Sequence, residues 1–334
     1  MLRLRACITI GLGAPLLAAS LCLITGRSSP PDLVAILAAA SSAAILIFVR
    51  AQPAARRSVR RVSMKCGLAA LALTLLAMSC LLAPFLTPHQ PTELGAHPDV
   101  SRLGPTLEHP LGTDAMGRDV VSRTLHGGRP TLAVAIVATI AATCVGTLAA
   151  AVGAFGPTWA DQVLAILTDA LLGVPRIVIV LALVALIGQQ ASGSSLLLWM
   201  ALFIGLTSWM STARIVRAGM IDCRSRGFVE SARALGLTER EIVFRHVLPN
   251  CAHLVLASAL LSFIWGAGVE ATLAFLGQGI VVGSPSWGAM ISDARTGLPD
   301  NWLPFAAPLV ALGVVAFGGT AVVESLQARA GYSS

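Results

Sequence analysis

The feature that most constrains this chain is its set of long stretches without a single Asp, Glu, Lys or Arg. They run over Ala6–Gly26, Leu33–Val49, Cys66–Phe85, Pro130–Ala160, Ile177–Ala213, His246–Val269 and Asn301–Val323. A helix crossing a bilayer's hydrocarbon core needs roughly 20 such residues, and all but Leu33–Val49 reach that length. Ile177–Ala213 is too long for one crossing and is interrupted at Gly188–Ser195, so the pattern predicts eight spans. Only 12% of the 334 residues are charged, about half the fraction of an ordinary soluble domain, and mean hydropathy is +0.81. The fold class is therefore all-α and polytopic. Residues 1–25 have the outline of a signal peptide but no convincing small-residue cleavage site, and are read as a retained helix. The seven cysteines (Cys7, Cys22, Cys66, Cys80, Cys144, Cys223 and Cys251) fall in or beside the spans with no paired spacing. They read as small apolar residues rather than disulfides or metal ligands.

The net charge of +7 is a topology signal. Basic residues gather at Arg3 and Arg5, at Arg50–Lys65, and between Arg214 and Arg245. Placing all three groups on one side satisfies the positive-inside rule and puts both termini in the cytoplasm. Contact with anionic lipid headgroups follows from the same residues. Nothing here calls for nucleic acid.

The chain divides into two additional transmembrane helices at 1–50, a basic cytoplasmic linker at 51–65, a main domain at 66–325 and a tail at 326–334. Spans within the main domain are expected at about 66–86, 131–155, 163–187, 196–213, 251–275 and 303–323. External segments fall at 87–129 and 276–302, and Gly156-Pro157 makes a tight cytoplasmic turn. The longest cytoplasmic connection, 214–249, has its own capping grammar. Phe228–Leu235 predicts a short helix, with Gly236 placed for a left-handed cap. Thr238 and Glu241 have the spacing of a capping box, Ile242, Val243 and Val247 follow at helical spacing, and Pro249 marks entry to the next span. Phe228, Ala232 and Leu235 would share a lightly apolar face. Such a hairpin suits a partner's groove and equally suits lipid headgroups.

Glu230-Ser231-Ala232, Gly236 and His246-Val247-Leu248-Pro249 together resemble the EAA loop of binding-protein-dependent ABC importer permeases. Arg245–Asn250 resembles the peptide/nickel branch of that family. So do His109–Asp119 with Ser122-Arg123, Glu270 with Leu273–Gly277, and Pro285–Gly288. These stretches occur in the family's order across about 66–325 and resemble the "C" permease of dipeptide/oligopeptide importers.

The resemblance implies a six-helix core that forms the translocation pathway for di- or oligopeptides. The implied partners are a homologous second permease, two ATP-binding subunits and an extracytoplasmic substrate-binding protein. The loop would couple to the ATPase, with Phe228, Glu230, Ala232, Leu235, Gly236, Thr238, Glu241, Leu248 and Pro249 as its residues. Glu230 would pair or cap, Ala232 would allow close approach, and Gly236 would permit the turn. The residues themselves agree that ATP is hydrolysed elsewhere. A P-loop needs Gly-Lys-Ser/Thr, and the only lysine, Lys65, follows Met64. No catalytic, cofactor or metal site is expected.

Asp169, Arg176 and Glu270 are ionisable residues within or at the ends of spans, where such groups face protein or water. Asp169 and Pro175 fit the family's Asp-x5-Pro spacing. Ile166 replaces its usual basic residue, and Arg176 is an added charge. Asp169 and Arg176, seven apart, share a helical face. Structural pairing or an interfacial location is preferred for them over substrate contact or proton relay. Glu270 reads as a helix-end hydrogen-bonding residue. His89, His97, His109, His126, His246 and His253 lack ligand spacing and read as solvated or structural. Trp159, Trp199, Trp209, Trp287 and Trp302 read as interfacial anchors.

The extra pair of helices at 1–49, and Glu324 and Arg329 in place of the family's Gly-Asp…Arg-Asp ending, depart from the family pattern. A nickel or metal-complex importer permease of the same family is the alternative substrate reading. A proton-coupled secondary transporter would require an inverted repeat, and a membrane enzyme a convergent polar cluster within spans. Neither is visible.

Overall fold

The computed structural model describes residues 57–92, 101, 104–188, 193–279, 285–298 and 300–329. The two additional helices expected at 1–50 lie outside the described residues. All regular elements within them are helical. Helix α1 is Arg57–Leu81, α2 Val120–Phe155, α3 Thr158–Leu172, α4 Arg176–Gly188 and α5 Ser194–Arg224. Helix α6 is Gly227–Ala234, α7 Ala252–Phe275, α8 Trp287–Ala294 and α9 Leu303–Arg329. Among the described residues α2, α5, α7 and α9 are long and apolar enough to cross a membrane. The bent pair α3–α4 qualifies when taken together, and Lys65–Leu81 within α1 is a shorter apolar helix.

Helix α1 is Arg57–Leu81 against an expected 66–86 and α9 runs on to Arg329; three further differences have a local reason. Helix α2 starts at Val120 rather than near 131, because the Asp119 carboxylate caps it by accepting from Ser122 N at 2.7 Å. Pro130 is carried inside it. The span expected at 163–187 is broken. Pro175 has no N–H to give and disfavours helical geometry at Val174, so the chain turns by 81° between α3 and α4. Helix α5 continues past Ala213 to Arg224 because its charges find partners there: Arg214 with Asp169, and Arg217 with Asp161 at 2.6 Å.

The α2–α5 pair is the most extensive helix contact. A ridge of small residues makes it possible: Ala138, Ala142, Gly146, Ala150 and Ala154 recur every fourth position of α2 and are all buried. A Cβ on Gly146 would sit 2.7 Å from the Trp209 carbonyl oxygen, and one on Gly205 would sit 2.7 Å from that of Ala138. Small residues let helix backbones approach where burial from lipid gives no hydrophobic drive. Three apolar clusters fill the bundle. One joins α2, α4, α5 and α7 around Met200 and Ile204. A second lies where α2 and α5 end, beneath α6. The third gathers α1, α2, α7, α8 and α9 around Trp287.

Candidate functional site

The connection after α5 folds against the bundle rather than hanging from it. Helix α6 turns Val229 and Ala232 inward, where both are buried with Met220, Ile242 and Val247. Phe228, Glu230, Arg233 and Leu235 remain exposed, Leu235 at 80%. This corrects the expected face: Ala232 packs into the chain's own core and does not share the outward side with Phe228 and Leu235. Its small size serves the seating of α6 on the bundle.

The helix ends as Gly236 enters the left-handed region at φ +80°. Gly236 N donates to Arg233 O and Leu237 N to Ala232 O, at 2.9 and 3.2 Å. That is the Schellman pattern, which satisfies carbonyls the helix end would leave open. Thr238 then caps the next turn. Its backbone N–H donates to the Glu241 carboxylate at 2.9 Å, and its hydroxyl accepts from Glu241 N at 3.3 Å. The bonds from the Thr238 backbone and side chain hold the Glu241 carboxyl below its ordinary value. Arg233 clamps Glu239 at 2.7 Å, fastening α6 to that turn.

Residues Ile242–Val247 wind as a π-helix, not the regular helix expected from their spacing. The wider turn puts Ile242 and Val247 into the same buried cluster. Such segments are rare and interrupt the ordinary ladder. Leu248 is half-buried and Pro249 exposed, in the single turn that leads to α7. Arg224 donates to Ala154 O at 2.6 Å and lies over the Phe155 ring. The loop is therefore fixed to the ends of both α2 and α5. Glu230 is exposed, and its charge acts on the neighbouring Arg233.

The intramembrane charges are distributed differently from expectation. Asp169 pairs with Arg214, not with Arg176. The 81° break separates the two residues that a continuous helix would have aligned. Arg176 instead lies over the Trp265 ring, 4.4 Å from its centroid, with Ser211 Oγ at 3.4 Å. Glu270 is fully buried. The hydroxyls of Thr131 and Ser286 face its carboxylate.

At the opposite end of the bundle, Asp114 receives Arg118 Nε at 2.8 Å and also pairs with Arg123. Both arginines reach Asp293, at 3.1 and 2.9 Å. Burial alone would raise the Asp114 carboxyl. The two guanidiniums and the N–H groups of Arg118 and Met116 outweigh it and hold the group below its usual value. His109 meets Asp119 at 3.0 Å, and its ring lies 4.7 Å from that of His89 at a tilt of 36°. His126 bonds to Ser122 O, and His97 lies outside the described residues. Among those residues no group of three or more His, Cys, Asp or Glu could hold a metal ion. Trp287 corrects another expectation. It is completely buried and donates to Thr124 O at 2.9 Å, so it is a core residue rather than an interfacial anchor. No linear pattern marks Asp293, whose partners Arg118 and Arg123 stand 175 and 170 positions earlier.

These features define a polytopic, all-helical membrane protein with a rigidly mounted polar loop at one end. Comparison with known proteins then supplies the family. Residues 142–331 match the model of the binding-protein-dependent transport system inner membrane component family. A protein of Brucella suis biovar 1 named "Putative peptide permease protein" is 32% identical over 265 residues, covering 77% of this chain and 85% of its own length. The "Dipeptide transport system permease protein DppC" of Alkalihalophilus pseudofirmus is 30% identical over 223 residues, covering 67% and 71%. The chain belongs to this family of transport permeases.

Proposed function

We propose that this chain is one of two permeases of an ATP-driven peptide importer, and that α6 transmits the ATPase stroke to its helices. The names of its relatives support the peptide assignment. The mounting of α6 carries the coupling assignment. Its inner side is locked to the ends of α2 and α5, while Phe228, Glu230 and Leu235 stand free on its outer side. A force on those three residues would reach both long helices without being lost in a slack connector. A homologous permease, two ATP-binding subunits and an extracytoplasmic substrate-binding protein complete the assembly. Both termini and the 51–65 linker then lie on the cytoplasmic side with α6, and 87–129 and 276–302 lie outside. Glu230 supplies an exposed carboxylate for a partner's donor. ATP is bound by the partner subunits.

The test is ATP-driven uptake by the complete complex in proteoliposomes. Proline cannot adopt the φ of +80° at position 236, so Gly236→Pro should leave the chain inserted but uncouple hydrolysis from uptake. Glu230→Arg should do the same by reversing charge at the contact. Normal uptake in both variants would reduce the loop to a connector.

A further inference from the structure

Arg176 touches two long helices well away from their ends. Its contact Ser211 is about 26 Å along α5 from the Ser194 end and about 20 Å from the Arg224 end, at a rise of about 1.5 Å per residue. Its contact Trp265 is about 20 Å from one end of α7 and about 15 Å from the other. Within the apolar part of a membrane bundle a guanidinium calls for a counter-charge or water. The carboxylates on the surrounding helices are all committed. Asp161 holds Arg217, Asp169 holds Arg214, Asp222 holds Arg226, and Glu270 is sealed from the surface. Among the described residues only a neutral ring and a hydroxyl hold Arg176 in place, and the Gly173–Pro175 break beside it is exposed.

The adjacent surface is not suited to acyl chains. The Asp169–Arg214 pair beside the break keeps 71% and 58% of its side chains exposed, so this face is opposed by water or protein. Arginine binds carboxylates through paired charge-assisted hydrogen bonds. A cation held only by weak neutral contacts can accept such a group and release it again.

We propose that Arg176, backed by Trp265 and Ser211, is a transit site for the C-terminal carboxylate of the translocated peptide. This rests on the peptide-import reading above and adds to it a residue for the substrate's negative end.

The complete complex in nanodiscs is titrated with N-acetyl-trialanine and with its C-terminal amide while indole emission is followed. The acid should change the emission and the amide should not, and the response should vanish in Arg176→Gln and in Trp265→Phe. Trialanine uptake in proteoliposomes should fall about tenfold in Arg176→Gln, the scale of one lost charge-assisted contact. Arg176→Lys should recover part of it, with the complex assembled at its normal stoichiometry. Equal responses to acid and amide, or an unchanged response in Arg176→Gln, would overturn the site. Loss of the second permease from the Arg176→Gln complex would also overturn it, by making Arg176 a subunit contact. A wild-type complex that responds to the acid but shows no ATP-dependent uptake would remove the import reading and leave the site standing.

Discussion

At Gly236 there is open space around the position a Cβ would occupy, so only the backbone demands glycine. Any other L-residue at φ +80° costs about 1–2 kcal/mol. Two positions on, the constraint is chemical. Thr238→Ala removes the hydroxyl that accepts from Glu241 N, and the loss of such a cap costs about 1 kcal/mol. Amide exchange across 238–242 should accelerate in that variant while α2 and α5 are unaffected. The pH dependence of the same cap has a fixed sign. The Glu241 carboxyl lies below its ordinary value of 4.5, so its contribution is present above that value. It is lost as pH falls through the depressed one. Protection of these amides, corrected for intrinsic exchange, should therefore drop on acidification and stay level when pH is raised through neutrality.

Among the elements, the α2–α5 pair depends on its ridge of small residues. Gly146→Leu would drive a side chain into the Trp209 carbonyl and Thr212 and should lower the thermal midpoint in detergent. A surface change such as Leu148→Ala, on an exposed position of the same helix, should leave it unchanged. The α3–α4 break illustrates how far local sequence reaches. Gly173 and Pro175 stand inside the stretch, yet a continuous span across 163–187 satisfies hydropathy. Hydropathy averages over a window and carries no direction, so the 81° turn, and with it the separation of Asp169 from Arg176, was invisible to it. Capping, by contrast, is set by residues two to five positions apart. The Gly236 cap and the Thr238–Glu241 box were legible for that reason.

For the whole molecule, the Asp114–Arg118–Arg123–Asp293 network ties the segment before α2 to α8. Asn301 reinforces it by donating to Thr113 O at 3.0 Å. Asp114→Ala would leave two buried guanidiniums short of charge, and breaking a buried pair from one side costs about 3–5 kcal/mol. The variant should lose thermal stability, measured in detergent, by far more than Asp222→Ala, which breaks an exposed pair worth at most about 1 kcal/mol.

The sequence by itself determined the membrane class, the all-helical fold, the family and the capped loop, because each is written in contiguous residues as hydropathy, motif order or capping distance. Only the tertiary structure decided which charges meet, which side of α6 Ala232 faces, that Trp287 is buried, and that Arg176 has no carboxylate partner among the described residues. Those outcomes depend on how helices far apart in the chain bend and pack, and a linear pattern does not encode that geometry.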